Sequence, residues 1–184
     1  ALASTGESRA TLDRLTREIK SGDTTNIEAQ AARHYWPRMM GRDFRRNTTR
    51  TDINALLNYG YTVLRATTSR AIVAAGLHPT IGLHHSNRNN AFALADDLME
   101  PFRPFVDCTA RNFVAKHGPN VTPEAKQALA GLIALDLPLA EATSPISIAL
   151  NKLATSLALS FERGTLDLAL PKSPGPSIFA GLGA

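Results

Sequence analysis

Cysteine is almost absent from this 184-residue chain. Cys108 stands alone, so no intrachain disulfide can form, which suits a reducing compartment. Its apolar thiol reads as a small buried core residue. Aromatic residues make up only 6% of the chain, against 43% hydrophobic residues in all. A core is therefore possible, but Leu, Ala, Ile and Val must build it. That mixture favours closely packed helices. No apolar run approaches the length of a membrane span, and the polar early residues Glu7, Ser8, Arg9, Asp13 and Arg14 do not read as a secretory signal. Lysine is missing from one region where charge is concentrated. Six arginines (Arg33, Arg38, Arg42, Arg45, Arg46 and Arg50) face one acid, Asp43, a local +5 that leaves −1 for the rest of a chain of formal charge +4. Arginine suits bidentate contact with phosphate.

What is present reads as a succession of helices. Leu12, Leu15 and Ile19 recur at helical spacing within 4–20, and Gly22 stops that helix. Asp23, Thr24 and Thr25 are cap candidates for a helix over 26–36, which Pro37 weakens. The arginine-rich stretch 38–50 reads as a connecting loop. Thr51 and Asp52 open a long helix whose face comprises Ile53, Leu56, Leu57, Gly60, Leu64, Thr67 and Ala71, with Gly60 and Ala71 permitting close approach. Gly76 and Pro79 end it. A loop over 80–88 carries His84 and His85. The next helix begins near Asn89 and extends toward Ala115, with a break expected at Pro101. Thr122 and Pro123 start a helix to about Ala134, and Ser144 and Pro145 repeat the device for a helix to about Arg163. Residues 165–170 suit a short extended piece, and the Pro/Gly/Ser-rich end suits a mobile tail. The expected fold is all-α, with a helical domain over 1–172 and a flexible tail over 173–184.

The most unusual chemistry lies in Asp96, Asp97 and Glu100, set among Leu98, Met99 and Phe102. Acids three or four positions apart share a helix face and repel. Arg103 could offset that repulsion, as could a divalent cation. Acid clusters on helices are more often solvated faces. Arg103 could pair with Glu100 or Asp96, or reach a phosphate. His34, His78 and His117 read as structural or exposed, and Trp36, Tyr59 and Tyr61 as core or domain-contact aromatics.

Longer motifs give these residues a context. Asn54 to Tyr61 (NALLNYGY), then Ala74 to Pro79 (AAGLHP), a histidine-containing loop, and Ala95 to Pro104 (ADDLMEPFRP) stand in one order. They resemble the CRISPR adaptation integrase family, the nuclease conventionally called Cas-one. The resemblance is to the branch accompanying single-effector, type II-like systems, and it covers about residues 20–170. It implies a helical C-terminal catalytic domain, with no counterpart here of the family's N-terminal β-rich domain. It also implies a cation site of Mn²⁺ or Mg²⁺ held by Glu28, His85 and Glu100, with Asp97 in support. His84 replaces His85 if the loop register shifts by one. Ala29 stands where the family usually has Gly after the motif Glu.

The implied reaction is phosphodiester transesterification. The 3′-hydroxyl of a short duplex attacks a backbone phosphate at the edge of a CRISPR repeat, inserting a spacer in defence against foreign DNA. A neutral imidazole is needed for ligation, so activity is expected to fall below about pH 6. Arg42, Arg45, Arg46 and Arg50 are candidates for tracking DNA phosphates. Expected partners are double-stranded prespacer and repeat DNA, a second copy in a homodimer, and the small protein Cas-two, with no membrane. The expected location is the prokaryotic cytoplasm. The alternative reading is a catalytically silent, helical DNA-binding scaffold.

Overall fold

The structure is a computed structural model that describes residues 1–19, 25–84, 89–138, 143–172 and 175–183. Its described residues are predominantly helical. The helices are α1 (Ala10–Glu18), α2 (Ile27–Met40), α3 (Ile53–Ala74), α4 (Ala93–Met99), α5 (Arg103–His117), α6 (Pro123–Gly131), α7 (Ile146–Arg163) and α8 (Pro176–Ala180). A two-stranded antiparallel ribbon, β1 (Asp136–Pro138) with β2 (Thr143–Pro145), is the small β addition to the expected helices. No helix among the described residues is long and apolar enough to cross a membrane.

The fold is built around α3. Asp52 caps it, its carboxylate accepting from the Asn54 N–H at 2.9 Å. Helices α4, α5, α6 and α7 all pack on α3, which is why it buries residues on more than one face, Leu56, Leu57, Leu64 and Ile72 among them. Gly60 lets α5 and α6 approach: a Cβ there would lie 2.5 Å from Val106 Cγ1 and 3.1 Å from Leu129 Cδ2. Gly76, at φ 78°, turns the chain out of α3 in a conformation that favours glycine.

Prolines sort themselves by position. Pro101 ends α4 as expected: a 3-10 turn, Glu100–Phe102, separates α4 from α5, and Glu100 sits at that junction. Pro104 falls in the first turn of α5, where its missing N–H costs little. Pro37 does not end its helix after Trp36, because α2 continues to Met40. Burial of Met39, 2% exposed, outweighs the one backbone bond missing near a helix end.

Other elements depart from the sequence pattern. The segment 4–20 is split: a 3-10 turn, Leu2–Thr5, and the left-handed Gly6 precede α1, and Ile19 is exposed. Gly22, Asp23 and Thr24 lie outside the described residues. The residue before α2 is Asn26, at φ 57°, with no side-chain cap bond. Ser144 does not cap α7. It pairs with Leu137 in the ribbon, and the helix starts after Pro145. Residues 165–170 form no strand. The segment expected as a flexible tail contains α8, with Phe179 and Leu182 buried. Phe179 stacks on Phe105 at 5.0 Å, and Asn112 Nδ2 donates to the Phe179 and Leu182 carbonyls. The segment packs against both α5 and the 3-10 turn Leu2–Thr5.

Candidate functional site

Glu28, in the first turn of α2, faces the loop after α3 and the α4–α5 junction. Together with Leu83, His84, Asp97 and Glu100, it lines an open cleft of about 520 Å³. Glu28 Oε1 lies 3.0 Å from His84 Nε2. Asp97 Oδ2 accepts the backbone N–H groups of Leu83 at 2.6 Å and His84 at 3.0 Å. Asp97 thus holds the loop that carries the histidine. Glu100 Oε1 lies 2.8 Å from Arg103 Nε, one helical turn on. Residues as distant in sequence as Glu28 and Glu100 thereby share one concavity, with Glu100 at the 3-10 turn between α4 and α5.

Glu28, Asp97 and Glu100 come together in this cleft, with His84 as its imidazole. His85 lies outside the described residues. The donor types (carboxylates and an imidazole beside open solvent) fit a divalent cation such as Mn²⁺ or Mg²⁺ in kind. Among the described residues, no three His, Cys, Asp or Glu side chains are already gathered closely enough to hold one ion. Asp96, the third acid of the cluster, is engaged elsewhere. It pairs with Arg65 Nε at 2.7 Å and accepts from Asn90 Nδ2 at 2.8 Å.

The model of the family described as CRISPR associated protein Cas1 matches residues 3–123. The chain belongs to the Cas1 family. It is 36% identical over 155 residues to the CRISPR-associated endonuclease Cas1 of Neisseria meningitidis serogroup C (strain 8013), covering 83% of this chain and 49% of that protein. It is 39% identical over 111 residues to a CRISPR-associated endonuclease Cas1 of Saccharolobus solfataricus, covering 52% of this chain and 32% of that protein. The chain therefore spans about half the length, or less, of these Cas1 relatives. A solved casposase bound to integration product shares the fold, with a TM-score of 0.68 at 24% identity, over 94% of this chain and 55% of that one.

Behind the cleft of this Cas1-family chain lies a polar network that sequence inspection missed. Asp107, buried on α5, accepts from Tyr35 Oη of α2 at 2.6 Å and from Tyr61 Oη of α3. One carboxylate therefore ties together three helices, two of which lead to Glu28 and Glu100. Burial pushes the Asp107 carboxyl up to about 6, against the opposing pull of the tyrosine hydroxyls, Arg103 and Arg46. Burial also raises both tyrosines, and the Asp107 charge raises them further. The Arg103 guanidinium spans the two layers, lying over the Tyr61 ring at 4.8 Å while it pairs with Glu100. A clue existed in the spacing: Tyr35 follows Glu28 by seven positions, two helical turns, and so shares its face.

The remaining candidates separate by environment. Arg46 donates to Asn54 Oδ1 at 3.1 Å and Asn58 Oδ1 at 2.7 Å, which fastens the arginine loop to α3. Arg45 donates to the Arg42 and Phe44 carbonyls, and Arg50 pairs with Asp52 at 2.8 Å. Arg42 is exposed. His78 Nδ1 meets Thr80 Oγ1 at 2.6 Å, His117 stacks near Phe113 at 4.6 Å, and neither they nor His34 line the cleft. Tyr61 is buried, whereas Trp36 and Tyr59 are half-buried against the core. Cys108 is buried, and desolvation pushes its thiol up to about 11, as suits an inert core residue.

Proposed function

We propose that this chain supplies the divalent-metal-dependent catalytic part of a DNA integrase that inserts spacer DNA into CRISPR arrays. The observation that supports this most is the sharing of one cleft by Glu28, His84, Asp97 and Glu100, from three separate elements of a Cas1-family fold. Glu28 and Glu100 would hold Mn²⁺ or Mg²⁺ with an imidazole from the loop, His85 in the expected register or His84 in the shifted one. When bound, such a cation supplies Lewis-acid stabilisation of a phosphoryl oxygen and acidifies a bound hydroxyl. Asp97 keeps the loop, and hence the imidazole, facing Glu28. Arg103 balances the charge of Glu100 and sets its direction. The reaction is transesterification by a DNA 3′-hydroxyl, so no nucleophilic side chain is required. Exposed arginines of 42–50 would contact prespacer and repeat phosphates. A second copy of the chain and Cas-two would complete the assembly of the longer protein.

The test is a thermal titration with Mn²⁺ and Mg²⁺, followed by strand transfer of a short duplex into a repeat. A cation at about 100 times its dissociation constant stabilises by about 2.7 kcal/mol. Glu28→Ala should abolish that stabilisation and the strand transfer together. The second reading is a catalytically silent DNA-binding scaffold. It draws on the lack of a ready three-donor cluster among the described residues. Duplex binding with no response to either cation, and no strand transfer, would establish the scaffold instead.

A further inference from the structure

Two neighbouring acids on α4 grip the histidine loop at different points. Asp97 accepts the Leu83 and His84 N–H groups, on the side where the loop leaves α3. Asp96 takes the side where the loop returns to α4. Its Oδ2 accepts from Asn90 Nδ2 at 2.8 Å, and its Oδ1 lies 2.7 Å from Arg65 Nε on α3. Adjacent helix residues project about 100° apart, so one short helix can reach both points. Asn90 is itself set by a turn, its Oδ1 accepting the Phe92 N–H at 3.0 Å. The Arg65 guanidinium lies 5.8 Å from the centre of the Phe92 ring. At the base of the loop the Leu94 N–H donates to the Pro79 carbonyl at 2.8 Å.

Asp96 is only 6% exposed, and a carboxylate buried so deeply is a poor source of stability. Desolvation offsets much of what its ion pair gains, and an apolar residue of similar volume would serve the packing as well. What the charge supplies is direction. Arg65 fixes one oxygen, which leaves the other aimed at Asn90. We propose that Asp96, steered by Arg65, is a positioning residue for the cation site: it holds Asn90 so that the imidazole-bearing loop stays over Glu28. The inference rests on the cation reading above and extends it to Arg65, Asn90 and Asp96, none of which lines the cleft. His84 Nε2 meets Glu28 Oε1 at 3.0 Å across two separate elements, so the contact depends on where the loop stands. The grip of Asp97 fixes the loop at Leu83 and His84. A second grip at Asn90 limits the swing of the chain that returns to α4, and so lowers the ordering cost of cation binding.

The test exchanges donor and acceptor. Asn90→Asp keeps an acceptor for the Phe92 N–H but sets two carboxylates against each other. Asn90→Asp combined with Asp96→Asn restores an amide facing a carboxylate, at the same net charge as the wild type. The full chain and both variants are titrated with Mn²⁺ by calorimetry. Amide exchange at Leu83 and His84 is followed by NMR without the cation, and melting curves establish that each variant is folded. Asn90→Asp should weaken Mn²⁺ binding about tenfold or more and speed exchange at both amides. Its added negative charge would by itself favour the cation, so a loss of affinity reports geometry rather than charge. The double variant should recover most of the affinity and the slower exchange. Unchanged Mn²⁺ affinity in Asn90→Asp overturns the positioning role and leaves the cation reading intact, as does equal amide exchange in the two proteins. A loss that the double variant does not recover comes from damage to the fold and overturns the role as well. Absence of Mn²⁺ binding by the wild type sinks both.

Discussion

Asp97 and Asp107 are both acids on helices, and their surroundings give them opposite work. Asp97 commits one oxygen to two loop N–H groups. Asp97→Ala removes that acceptor and lets the histidine loop drift from Glu28, so Mn²⁺ affinity should fall about 10- to 100-fold in a thermal titration. Asp107 is buried, and its carboxyl is raised to about 6 from an ordinary 3.8. The folded chain therefore binds this proton more readily than the unfolded chain. Stability from this group rises as pH falls through about 6 toward 4, and is lost as pH climbs back. His34, which desolvation and then Arg38 lower from 6.5, pulls the other way over part of that window. Asp52 is held below its ordinary value, chiefly by the Asn54 N–H, and loses stability only at lower pH. The informative quantity is thus the difference in melting temperature between wild type and Asp107→Asn. The wild type should gain relative to the variant on going from pH 7 to pH 5, and a constant difference would show that Asp107 does not titrate there.

At the scale of elements, the cleft depends on how the helices around α3 meet it. Gly60 decides one of those approaches. Gly60→Ala drives a methyl against Val106 and Leu129, and should cost about 1–3 kcal/mol by overpacking despite alanine's better helix propensity. Chemical denaturation would read this, and Val106→Ala in the same chain should recover part of the stability. The junction at Pro101 is another such feature, since Glu100 begins the 3-10 turn that separates α4 from α5. The small ribbon and α8 were not visible in sequence for a related reason. Three-residue strands carry too little alternation to detect, and Phe179 and Leu182 look like isolated apolar residues until α5 is packed against them.

Across the whole molecule, charge is concentrated in one arginine-rich stretch, but the arginines are not equivalent. Arg46 is built into the fold through Asn54 and Asn58, whereas Arg42 and Arg45 are exposed. Arg42→Gln with Arg45→Gln should weaken duplex binding and lower its salt slope by about one for each phosphate no longer neutralised. Arg46→Gln should instead lower the melting temperature, with a cost of about 1–3 kcal/mol from its hydrogen bonds to the amides. If the double variant leaves the slope unchanged, this stretch does not track phosphates. The chain spans about half the length of its Neisseria relative.

Family, helical class and the choice of candidate acidic and imidazole donors came from the sequence alone. They rest on local chemistry: helical periodicity, proline and cap positions, and long composite motifs such as Ala95 to Pro104. Periodicity assigns a residue to a face but not the neighbour that the face will meet. Only the tertiary structure could bring Glu28 to His84 from opposite sides of α3 in the chain, give Asp96 to Arg65, and bury Asp107 between two tyrosines. Those pairings follow from how α2, α4 and α5 pack around α3, a long-range arrangement that no window of sequence contains.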